Sequence, residues 1–143
     1  MTTPPYHIFL EEKSSPEDIR AITEGLYLFN RQHTPEDNYH PLRLFLRASD
    51  QTLVGGLLGE TYWGWLHVSI LWLQEELRGQ GYGSHLLAQA EQEARRRGCH
   101  AVHLDTLSFQ ALAFYEHRGY QVFGTLLDHP VGHTRYFLTK KLS

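Results

Sequence analysis

Leu71-Trp72-Leu73-Gln74-Glu75-Glu76-Leu77-Arg78-Gly79-Gln80-Gly81-Tyr82-Gly83-Ser84-His85-Leu86-Leu87 runs from an apolar strand through a glycine-rich turn into the start of a helix. Glycines at 79, 81 and 83 let the backbone turn tightly and leave no side chain between the amide N–H groups and an incoming ligand. At a helix N-terminus several N–H groups point the same way and the helix dipole adds favourable potential, so phosphate or pyrophosphate is the natural ligand. The spacing alone fits equally well a turn that uses glycine only for its geometry. A nucleoside triphosphatase loop is excluded, because no Gly-Lys-Ser or Gly-Lys-Thr follows the glycines. A dinucleotide-binding motif fits poorly: it should follow the first strand of a repeated strand-and-helix unit, with an acidic residue about 20 residues on.

Upstream, Trp65 to Leu73 is too continuously apolar to have one face in water and is placed centrally in a sheet. Leu42 to Arg47 and Thr52 to Thr61 read as a hairpin joined by Ala48-Ser49-Asp50-Gln51, with Gly64 at the next turn. Downstream, Leu86, Leu87, Ala90 and Ala94 line one helix face while Glu91, Gln92, Glu93 and Arg95 take the other, and Gly98 stops the helix. Ala101 to Thr106 reads as a strand, which makes a crossover and a locally parallel pair with Trp65 to Leu73. Phe109 to Arg118 follows as a helix ending near Gly119, then Tyr120 to Thr125 as a strand, Leu126 to His133 as a loop and Thr134 to Lys140 as a closing strand. Near the start, Ser15 caps a helix that opens on Pro16, Glu17 and Asp18. Ile19, Ile22, Leu26 and Phe29 predict one buried face up to about Asn30, before a loop from Gln32 to Pro41.

With 143 residues, 41 % of them hydrophobic and 13 % aromatic, the chain is expected to fold as one domain spanning 1–143. A net charge of −3 argues against a surface built to grip nucleic acid, and Arg95-Arg96-Arg97 suits the negative end of its helix. The opening MTTPPYHIFL lacks the pattern of a secretory signal, the greasiest segment is too short to span a membrane, and Cys99 stands alone, so a cytoplasmic location is expected. Ten histidines are scattered without a cysteine or carboxylate set, so no metal is expected.

These residues resemble the GNAT superfamily of N-acetyltransferases, whose acetyl-CoA loop follows Gln or Arg, any two, Gly, any one, Gly or Ala. Arg78, Gly81 and Gly83 fit that pattern. Ser108-Phe109-Gln110-Ala111-Leu112-Ala113-Phe114-Tyr115-Glu116-His117-Arg118-Gly119-Tyr120 is similar to the family's second motif, with Ala111, Tyr115 and Gly119 matching. Ser108 stands where the family usually has Asn, and Tyr120 where it often has Phe. The resemblance implies an α+β fold, a central mixed sheet of about six or seven strands flanked by helices, with acyl-CoA between two splayed parallel strands.

It also implies roles. Main-chain groups of Leu71, Trp72 and Leu73 would meet the pantetheine arm, and amides of Arg78, Gly79, Gln80, Gly81, Tyr82, Gly83 and Ser84 would hold the pyrophosphate, with Ser108 and Ala111 contributing from the second motif. The implied reaction is direct attack of a primary amine, on a small molecule or a peptide, on the thioester carbonyl, the oxyanion being stabilised by a donor such as a strand amide. Tyr115 would protonate the leaving thiolate. Some family members use a Glu on the central strand as base; here that strand has none, and His67 stands at about that position, with Glu60 or no side-chain base as alternatives. Trp63 and Trp65 are candidate walls of an acceptor pocket, or ordinary packing. Homodimers are common in the family, and no residue here carries that expectation. The rival class is a non-catalytic module that senses acyl-CoA and releases no thiol.

Overall fold

In a computed structural model the chain is described from residue 5 to residue 143. It divides into two compact units, one ending at Glu36 and one running from Asp37 to Ser143. Among the described residues the first unit holds one helix, α1 (Pro16–Arg31), opened as its sequence predicts: the Ser15 hydroxyl accepts from the Asp18 N–H at 3.1 Å. Its apolar stripe forms but is not buried; Ile22, for example, is 76 % exposed. This corrects the expected buried face. One helix offers no second layer of its own against which to bury a stripe.

The second unit is a mixed sheet with two helices. Its strands are β1 (His40–Arg47), β2 (Leu53–Tyr62), β3 (Trp65–Leu73), β4 (Ala101–Leu107), β5 (Gln121–Leu127) and β6 (Thr134–Lys141), arranged β1-β2-β3-β4-β6-β5. Only β3 and β4 run parallel, because the helix α2 (Tyr82–Arg96) carries the chain back between them. Leu86, Leu87, Ala90 and Ala94 of α2 pack on Leu42, Leu57, Leu66, Val102, Leu104 and Leu138 of the sheet, all nearly inaccessible. Each such leucine contributes about 2 kcal/mol through burial. Alternation then sends His67 and His103 to the opposite face.

Two expectations are corrected here. Glu91 does not face solvent: it is 5 % exposed, accepts from the Tyr120 hydroxyl at 2.7 Å and from Lys140 Nζ at 2.9 Å, and so is buried with its charge satisfied. The helix expected from Phe109 is only Leu112–Glu116, α3. Gln110 turns its amide oxygen back to accept from the Leu107 N–H at 2.8 Å, and the Thr106 hydroxyl accepts from the Ala111 N–H at 3.2 Å. Side-chain bonds thus replace the first helical turn.

Pairing of β2 with β3 slips by one residue. Gly59 lies opposite Val68 and Leu58 opposite Ile70, leaving Ser69 as a bulge. A Cβ at Gly59 would drive deep into the His67 carbonyl oxygen. Gly59→Ala is therefore expected to cost about 3 kcal/mol in urea unfolding, by forcing the strands apart beside the bulge.

Candidate active site

β3 and β4 stay paired only from Trp65/Ala101 to Val68/Leu104. Beyond that point β3 keeps β2 as its neighbour and β4 keeps β6, so the facing edges of residues 69–73 and 105–107 part into a wedge. Strand edges without a neighbour present main-chain N–H and C=O groups that need partners. The Ser69 bulge sits where the strands separate.

The wedge opens into a cavity of about 1170 Å³. Its floor is Val68 to Leu73, and one end is formed by Arg78, Gly79, Gly81, Gly83 and Ser84. Asp105 to Leu107 and the α3 residues Ala111, Phe114 and Tyr115 form the facing wall. His129, Pro130 and Arg135 also line it.

The glycines of this segment differ in conformation. Gly79 and Gly81 have φ of +76° and +92°, where any side chain is strained, and each is surrounded by open space. They curve the chain so that the first amides of α2 face the cavity without a carbonyl partner inside the helix. Gly83 also lines the cavity and has an ordinary backbone conformation, with Phe114 at contact distance, 3.4 Å, from where a Cβ would sit. The Arg78 side chain is tied back: its Nε donates to the Leu73 carbonyl at 3.3 Å, fixing the exit from β3.

Of the residues singled out in the sequence, Leu71, Trp72, Leu73, Arg78, Gly79, Gly81, Gly83, Ser84, Ala111 and Tyr115 line this cavity. Gln80, Tyr82, Ser108 and His67 lie outside its lining. The Gln80 side chain donates to the Glu76 carbonyl at 2.7 Å, and the Ser108 hydroxyl accepts from the Thr134 N–H at 3.1 Å, binding the end of β4 to β6.

Tyr115 is buried, its ring edge-on to those of Phe114 and Tyr120. Burial, and secondarily the Asp105 charge, push its phenol up to about 12. It therefore remains a proton donor across the physiological range. Because the folded value lies above the unfolded value near 10, the stability linked to this group is full below pH 10 and is lost between about pH 10 and 12. Thermal midpoints should fall across that window, less steeply in Tyr115→Phe, and Asp105→Asn should move the phenol's ultraviolet titration back toward 10.

On the face away from α2, His67 Nδ1 lies 2.7 Å from Glu60 Oε1 and the two are partly buried. Since a carboxylate oxygen accepts, Nδ1–H is the donor in this contact, and it fixes the orientation of the ring. The Ser69 hydroxyl donates to the other Glu60 oxygen at 3.4 Å. His103 stacks on His67 at 4.5 Å, and burial, with His67 second, holds its imidazole below the usual histidine range. Glu60 and His67, separate alternatives in the sequence, are thus one hydrogen-bonded pair.

Sequence reasoning missed the Asp105–Arg135 ion pair at 2.9 Å and the cation Arg118 on the cavity wall. Asp105 follows His103 by two on the same strand face, and Arg118 follows Tyr115 by three, spacings at which both were within reach. Trp65 packs edge-on against His100 and His103, which favours the packing alternative for that residue. Among the described residues no three His, Cys, Asp or Glu side chains gather as a metal site, and no helix is long and apolar enough to cross a membrane.

Residues 6–120 match the family model described as Acetyltransferase (GNAT) family. An acetyltransferase of Agrobacterium fabrum is 36 % identical over 132 residues, 92 % of this chain and 96 % of the relative. The blasticidin-S acetyltransferase of Streptomyces morookaense is 44 % identical over 115 residues, 78 % of this chain and 85 % of the relative. A crystal structure of an Agrobacterium tumefaciens protein assigned as an acetyltransferase superimposes with a TM-score of 0.88 at 35 % identity, covering 96 % of this chain and 100 % of the other.

Proposed function

The chain belongs to the acetyltransferase (GNAT) family, and on that premise we propose that it moves the acetyl group of acetyl-CoA to a primary amine by direct attack on the thioester. The observation that carries this is the wedge between β3 and β4, with left-handed glycines and the open end of α2 at its mouth. The donor set fits the ligand. The first amides of α2, which have no carbonyl partner within the helix, suit a diphosphate, the edge of residues 69–72 that β4 leaves suits an amide-bearing arm, and the apolar walls exclude water.

The thioester supplies an activated carbonyl whose C–S bond breaks as the new C–N bond forms. Glu60 fixes the His67 tautomer, and His67 Nε2 takes the ammonium proton through a water, because His67 stands just outside the cavity beyond Val68 and Ser69. Tyr115 gives its phenolic hydrogen to the leaving sulfur and is restored by the second proton that the attacking nitrogen sheds, so that the thiol and the neutral amide are the products. Among acceptors, the name of the 44 % identical relative makes blasticidin S the first amine to test, followed by other small amines and peptide N-termini.

The experiment is a panel of amines incubated with acetyl-CoA and a thiol-detecting reagent. Thiol release that depends on one amine is expected. Tight CoA binding with no release from any amine would favour a sensing module instead. In the reactive pair, His67→Ala should lower kcat/KM about a hundredfold near pH 7; an unchanged kcat/KM would remove His67 from proton transfer.

A further inference from the structure

Resting on the role of His67 as proton acceptor, we infer that His103 is a positioning residue for it. The His103 ring backs the His67 ring, holds it against Glu60 and offers its π face to the imidazolium that forms when His67 takes a proton. Glu60, His67 and His103 are direct register partners across β2, β3 and β4. Neighbouring strands lie about 4.8 Å apart, so the register itself brings two imidazoles to stacking distance. Their ring centres are 4.5 Å apart and their planes 17° from parallel. Glu60 Oε1 lies 2.7 Å from His67 Nδ1, and its second oxygen accepts from the Ser69 hydroxyl at 3.4 Å. Trp65, two residues before His67 on β3, stands edge-on to His103 at 5.7 Å and to His100 at 5.6 Å. His67 thus meets a carboxylate at its edge and a buttressed ring at its face.

Among the described residues none hydrogen-bonds the His103 ring, so what this side chain contributes is the ring itself. The charged and titratable groups around it are His67 of β3, Glu60 of β2 beyond it, Asp105 of its own strand, and Arg135 of β6, which pairs with Asp105 at 2.9 Å. Its β6 register partner, Thr139, is uncharged. Burial first, and His67 second, hold the His103 imidazole below the usual histidine range, against the opposing pull of Glu60 and Asp105. Near pH 7 it is therefore an uncharged aromatic ring. A cation within about 6 Å of an aromatic centre is attracted to the ring face, whereas two imidazolium ions at that distance repel. The stack admits one proton, and the carboxylate of Glu60 places it on His67. That is the charge His67 carries once it has accepted from the ammonium, so His103 stabilises it where it develops.

Magnetic resonance of protein carrying isotopically labelled histidine, alongside kinetics, compares the unaltered chain with His103→Leu and His103→Phe. Leucine keeps bulk but removes the ring, and phenylalanine restores a ring without nitrogen. The unaltered protein should show a downfield Nδ1–H proton of His67, sheltered by its bond to Glu60. In His103→Leu that signal should broaden away and kcat with the responding amine should fall about tenfold, with CoA affinity within about twofold. His103→Phe should restore both. Absence of the signal from the unaltered protein, a leucine variant with signal and kcat intact, or a phenylalanine variant as impaired as the leucine one overturns the inference. Should the leucine variant melt early, His67→Phe is read by the titration of His103, which should rise toward the usual histidine range. An unmoved midpoint shows the rings to be uncoupled and overturns the inference equally. Loss of the signal at full kcat would instead overturn the role of His67 on which the inference rests.

Discussion

Replacing Tyr115 by phenylalanine is expected to lower kcat about a hundredfold, roughly 2.7 kcal/mol in the barrier, while CoA affinity stays within about twofold. The ring is what α3 packs with. It lies edge-on to Phe114 and Tyr120, and phenylalanine keeps those contacts. What disappears is a hydrogen at the cavity wall that burial keeps on the phenol up to about pH 12. A phenol of that basicity is a weak acid but a persistent donor, so its benefit is realised as charge develops on sulfur and not in ground-state binding. Pre-steady-state and steady-state kinetics with the responding amine separate the two effects. A parallel loss of kcat and CoA affinity would make Tyr115 a packing residue, and an unchanged kcat would remove it from the chemistry.

The second large effect is expected at the mouth of α2. Gly81→Asp should weaken CoA about a hundredfold, because it adds a carboxylate where the diphosphate is to sit and a side chain at a φ of +92°. Aspartate at the residue preceding a helix is otherwise compatible with helix formation, and open space surrounds this position, so the fold should survive. Gly81→Asn separates charge from shape, having nearly the same side-chain outline without the charge. Its loss should be about tenfold smaller. Equal losses would trace the effect to the backbone alone, and wild-type affinity in Gly81→Asp would place the anion elsewhere.

The strand, glycine turn and helix around 71–87 were legible because every local signal agrees there: a continuous apolar run, glycines at the turn and a switch of period from 2 to 3.6 at α2. The observed β3 has the predicted limits, Trp65 to Leu73. Where local and tertiary preferences diverge, the sequence misleads. Glu91 follows the polar pattern of α2 yet is buried, because Tyr120 and Lys140, distant in sequence, complete its charge. The α1 stripe has helical spacing, but spacing says nothing of what covers it. Gln110 and Thr106 shorten α3 through side-chain bonds that a helical pattern does not encode. Residues of the candidate site divide in the same way. Arg78, Gly79, Gly81, Gly83 and Ser84 come from one continuous segment and could be singled out together, whereas the Glu60–His67 pair and the Arg118–Ser84 contact join separate elements and emerge only from strand register and helix placement.

Nuclear magnetic resonance titration of isotopically labelled protein with acetyl-CoA reads the wedge residue by residue. The amide signals of Gly79, Gly81, Gly83 and Ser84, together with those of residues 69–73, should shift first and furthest. Shifts confined to other strands, or none at saturating concentrations of the thioester, would contradict the placement of the donor between β3 and β4.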